Sequence, residues 1–65
     1  MNTAKLKGII AENGYSQQDV AKAIGMSART FYTKMKKGVF GTDEAVAMIK
    51  LLKIENPADI FLTSQ

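Results

Sequence analysis

Arg29, Tyr32, Thr33 and Lys36 recur at the three- and four-residue intervals that place side chains on one face of a helix. They offer a guanidinium fork, a phenol, a hydroxyl and an ammonium. Such groups suit hydrogen bonding to an array of acceptors rather than bond making. The charge around them is one-sided. No acid lies between Asp19 and Asp43, whereas Lys22, Arg29, Lys34, Lys36 and Lys37 all fall in that interval. The formal net charge is +3, yet residues 27–38 alone carry +4 and the rest of the chain −1. A near-neutral body with one basic segment is the footprint of a protein that meets a polyanion. A merely solvated helix face would cluster charge in the same way.

Catalysis has little material to work with. There is no histidine and no cysteine, and the six carboxylates are scattered singly or paired only at Asp43-Glu44. Neither a glycine-rich phosphate loop nor a metal-ligand spacing occurs. The expectation is therefore no enzyme, no cofactor, no metal and no small-molecule ligand. Absence of cysteine also removes disulfides and fits a reducing cytosol. The longest unbroken apolar run, Ala45 to Ile49, is far shorter than the roughly 20 residues of a membrane span. Lys5 and Lys7 are followed only by Ile9, Ile10 and Ala11 before Glu12, which is no signal-peptide core. A cytoplasmic protein without a membrane partner is expected.

The elements that must position the basic face can be read from their ends. Sixty-five residues allow one domain, 1–65, with a thin core. Leu6, Ile9 and Ile10 recur at helical spacing and Asn13-Gly14 stops them, which gives a first helix over roughly 3–12. Ser16-Gln17-Gln18-Asp19 has the pattern of a capping box, with Tyr15 and Val20 at the flanking apolar positions. A second helix starts at Gln17, turns Val20, Ala21 and Ile24 inward, and ends at Gly25. Ser27 caps a third from Ala28 to about Lys37, anchored by Phe31 and Met35. Residues 38–41 form a loop, and Thr42 is expected to cap a fourth helix with Asp43 and Glu44 in its first turn. Ala45, Met48, Ile49 and Leu52 form that helix's inner stripe, and Asn56-Pro57 opens a short fifth through Ile60, Phe61 and Leu62. The fold class is all-α.

Two short helices joined by about three residues cross steeply, so a small residue is needed where they touch and a positive φ where they turn. Ala21 and Gly25 supply these, and Met26 plugs the space beneath the turn. In "QQDVAKAIGMSARTF", residues 17–31, the order of Val20, Ala21, Ile24, Gly25, Met26 and Phe31 resembles the helix-turn-helix of the Cro/phage-repressor (XRE-like) family. The five-helix layout and Gly38 after the third helix extend the resemblance over nearly the whole chain.

That resemblance implies a compact five-helix, lambda-repressor-like domain. It implies a repressor-like transcriptional regulator of phage or prophage type that binds double-stranded DNA in sequence-specific fashion, usually as a homodimer on two half-sites. It places Gln17 on a backbone phosphate. Ser27, Ala28, Arg29, Tyr32, Thr33 and Lys36 fall on base edges or flanking phosphates, and Lys37 with the following loop on the backbone again. The chain departs from the family where Lys34 replaces an apolar residue, leaving Met35 as anchor, and where Lys36-Lys37-Gly38 lacks the usual acid. The chemistry agrees: a guanidinium at Arg29 matches guanine O6 and N7, and Thr33 can donate its hydroxyl or pack its methyl on thymine. Gln17 and the free amides of the second helix suit a phosphate oxygen. Tyr32 either contacts DNA or covers the edge of the core. Val46, Leu51, Phe61 and Leu62 either form a dimer surface or are covered by the fifth helix. The alternative function is a protein-interaction module of the same fold, an antirepressor or modulator that docks on another regulator.

Overall fold

In a computed structural model, which describes residues 1–62, five helices follow in order with no strand among the described residues. They are α1 (Thr3–Glu12), α2 (Gln17–Ala23), α3 (Ala28–Lys37), α4 (Thr42–Leu52) and α5 (Pro57–Phe61).

Their starts are set by side chains at fixed offsets. The Asn2 carboxamide accepts from the Lys5 amide at 3.1 Å to open α1. At α2, the Ser16 hydroxyl accepts from the Asp19 amide at 3.1 Å, and the Asp19 carboxylate accepts from the Ser16 amide at 2.8 Å. These reciprocal bonds satisfy two amides that the helix leaves unpaired. Ser27 caps α3 by accepting from the Thr30 amide at 3.2 Å. At α4 the expected cap is displaced by one residue. Gly41 is the N-cap and Thr42 is already helical, because Glu44 folds back and accepts from the Gly41 amide at 2.7 Å. The carboxylate satisfies the amide that defines the start, which leaves a hydroxyl at position 42 no capping role.

The ends share one geometry. After α2, Gly25 adopts φ +83°, its amide donates to the Lys22 carbonyl at 3.2 Å, and the Met26 amide donates to Ala21 at 2.9 Å. This paired closure needs a left-handed residue, and glycine takes it without the penalty a Cβ brings. Gly14 and Gly38 close α1 and α3 in the same way. At the end of α4, however, Lys53 stands at φ +53° while the Ile54 amide reaches back to Ile49 at 3.1 Å.

The core is Leu6 and Ile10 from α1, Val20 and Ala21 from α2, Phe31 and Met35 from α3, Met48 and Leu52 from α4, Ile54, and Ile60 from α5. Leu6, Val20, Phe31, Met48 and Ile60 are wholly enclosed. Ile9, Ile24, Met26 and Ile49 pack on this cluster while half-buried. The closing bonds are polar. The Asn2 amide donates to the Ile60 carbonyl at 2.7 Å, and the Asn13 side chain donates to Leu52 O at 3.4 Å. Together they tie the two ends of α1 to α5 and α4. No described helix is long and apolar enough to cross a membrane.

Candidate nucleic-acid interface

The unit that carries the basic face is α2, the turn at Gly25 and α3. Ala21 of α2 is 1% exposed, and α2 and α3 pack against each other. Phe31 and Met35, one turn apart, fix the inner side of α3. A helix pinned along one side must present the opposite side outward, and Arg29, Tyr32, Thr33, Lys36 and Lys37 are all exposed there. Tyr32 is 46% exposed, so about half of its surface is open on this side of α3.

The hydrogen bonds sort these groups by what they have left to give. Arg29, Lys36 and Lys37 form no ion pair among the described residues, so their donors face solvent. The Thr33 hydroxyl donates to the Arg29 carbonyl at 3.0 Å, leaving its lone pairs and its methyl to face a ligand. Ser27 accepts from the Thr30 amide and donates to the Thr30 hydroxyl at 2.9 Å, so its side chain is committed to the cap. Ala28 and Gln17 are half-buried at the starts of α3 and α2. The Ser16 amide at the start of α2 bonds to Asp19, whose carboxyl lies below its ordinary range. The Ser16 amide is the main cause, followed by the Ser16 hydroxyl. An ionised acid at this end competes with a phosphate for the remaining amides.

Lys34 is the exception within the basic run. Its ammonium donates to both oxygens of Glu44, at 2.6 and 2.8 Å, joining the last turns of α3 to the first turn of α4. The Glu44 carboxyl is lowered by this lysine first and by the Gly41 amide second. Lys34, where the resembled family usually has an apolar residue, forms this ion pair, and Met35 is buried as the anchor expected in its place. Phe40 was readable only as loop. Its ring centroid lies 5.3 Å from that of Phe31, which holds the α3–α4 connection onto the core.

The apolar surplus is divided. Leu51 and Phe61 pack on the core cluster, whereas Val46 is 42% and Leu62 82% exposed, and Val39, in the loop before α4, is also exposed.

A model of the family described as bacterial regulatory protein, Fis family, matches residues 4–38, more than half of the chain. The match covers α1 from its second residue, α2, α3 and the closing Gly38. No curated protein and no solved structure matches significantly.

Proposed function

Since the chain belongs to the Fis family of bacterial regulatory proteins and carries its helix-turn-helix DNA-binding domain, we propose that it is a sequence-specific, repressor-like transcriptional regulator. In this reading α3 enters the major groove of duplex DNA. The single observation that carries it is the outward face of α3, where Arg29, Lys36 and Lys37 stand exposed without acidic partners among the described residues. Arg29, near the helix start, reads a guanine edge, and Thr33 one turn on offers its methyl to thymine. Tyr32 and Ala28 line the same approach, and Lys36, Lys37 and Gln17 meet flanking phosphates, while the Ser27 hydroxyl stays with the cap of α3. Such binding is driven by counterion release and weakens steeply with salt. Titrating a labelled duplex with the protein at low and raised salt tests it. Binding that salt abolishes supports the reading, and no binding at low salt refutes it.

The finer placement beside the Cro and phage repressors, and with it a cytoplasmic phage-type regulator, rests on the residue order from Gln17 to Phe31 and on the five-helix layout. A homodimer on two half-sites belongs to the same proposal. One recognition helix spans only part of a turn, and pairing adds a second half-site about one helical turn away. Of Val46, Leu51, Phe61 and Leu62, the four apolar groups considered for that contact, Val46 and Leu62 are exposed. Comparing a palindromic site with its isolated half-site across protein concentration tests it; a 1:1 complex at every spacing removes the dimer. The alternative, a module docking on another regulator, has no specific observation in its favour.

A further inference from the structure

We propose that Glu44 withholds Lys34 from DNA phosphates, so that an acid on α4 limits the sequence-independent affinity of α3. The inference rests on the DNA-binding reading above and goes beyond it. Lys34 lies on α3 one turn before Lys37, and their side chains neighbour each other along that flank. Lys37 is exposed and unpaired among the described residues, while Lys34 is engaged by both Glu44 oxygens. The pair sits at the surface, with side chains 34% and 23% exposed. The ammonium is therefore within reach of solvent and of any anion that approaches the flank. Only its commitment to Glu44 keeps it occupied.

Two features make Glu44 an effective competitor for a phosphate. Its carboxylate is held by a second donor, the Gly41 amide at 2.7 Å, so it is already oriented when Lys34 arrives. It also lies in the first turn of α4, where the helix dipole favours negative charge. The ion pair of Lys5 with Asp59, at 3.5 Å, engages a single carboxylate oxygen and lies between α1 and α5. A cation held this way adds nothing to counterion release. Releasing it adds affinity for every duplex alike and lowers the ratio of specific to random binding.

The test measures affinity for a random-sequence duplex across salt concentration, with a circular-dichroism melt on each variant. Glu44→Gln keeps an acceptor for the Gly41 amide but removes the charge that holds Lys34. It is expected to bind more tightly at low salt, with a log–log salt slope steeper by about 0.9. Adding Lys34→Gln to that variant restores the parent slope, and Asp43→Asn, which removes a neighbouring charge without freeing Lys34, leaves the slope unchanged. Lys34→Gln alone also leaves the slope unchanged, and this arm stands even where Glu44→Gln fails to fold. A shallower slope for Lys34→Gln alone, an unchanged slope for Glu44→Gln, or an equal gain from Asp43→Asn overturns the inference while leaving DNA binding intact. A parent protein that binds no duplex overturns both.

Discussion

The Met26 amide donates to the Ala21 carbonyl at 2.9 Å, so the half-buried residue after the turn is bonded to a buried residue of α2. One small side chain and one left-handed glycine thereby fix where the basic helix emerges. Ala21 is 1% exposed, so added methylenes must be accommodated inside the core. Ala21→Leu is expected to cost about 1–3 kcal/mol by overpacking, a large part of what a domain of this size holds. A thermal melt matching that of the parent would mean that α2 and α3 are not packed this way.

Lys53 occupies the position that glycine fills at the other three closures, with φ +53°. A side chain there is strained, and only part of that cost is offset by a cation near the end of α4. Lys53→Gly is expected to stabilise the fold by about 0.5–1 kcal/mol. Unfolding in urea would show a higher midpoint with an unchanged slope. A lower midpoint would contradict the strain.

Acid should weaken the fold through two carboxyls. Glu44 is held below its ordinary 4.5 chiefly by the Lys34 ammonium, and Asp19 below 3.8 chiefly by the Ser16 amide. A carboxyl whose folded pKa is depressed contributes stability that is full above its unfolded value and is lost as pH falls through the folded one. Melting temperature should therefore hold from neutrality to about pH 5 and drop below about pH 4.5. Glu44→Gln should blunt the start of that drop. The same acid sensitivity in Glu44→Gln as in the parent would remove Glu44 from the account.

The helix boundaries were legible because capping bonds, closing glycines and a proline at the first helical position obey fixed offsets in sequence. Ser16 with Asp19, Asn13-Gly14, Gly25 and Asn56-Pro57 each announced an end that the structure places within a residue. Thr42 misled because a hydroxyl at a helix start looks like a cap, and only the Glu44 bond to Gly41 shows otherwise. Contacts that cross between helices left no such trace. Lys34 and Glu44 are ten residues apart and meet because α3 and α4 turn about a loop pinned by Phe40 on Phe31. Ile54, 8% exposed, enters the core just past the left-handed closure of α4 at Lys53. The basic face was readable from spacing and charge. Which of its groups were already committed, Lys34 and the Ser27 hydroxyl, was not.

Arg29 and Lys37 should separate specificity from affinity. Arg29→Ala is expected to cost about 1–3 kcal/mol on the preferred site and to flatten preference at one base pair. Lys37→Ala should weaken all sequences alike and make the salt slope shallower by about one. Equal losses for Arg29→Ala on preferred and random duplexes would sink its role as a base reader.

The most direct measurement of the central claim is selection of bound sequences from a random duplex pool at near-physiological salt, followed by titration of the winner against a scrambled duplex. A helix held outward with Arg29 and Thr33 on its face predicts one enriched motif containing a guanine step. The winner should bind about 10³-fold or more tightly than the scrambled duplex. A pool that emerges without a motif, or a winner bound no better than its scramble, would contradict sequence-specific recognition by α3.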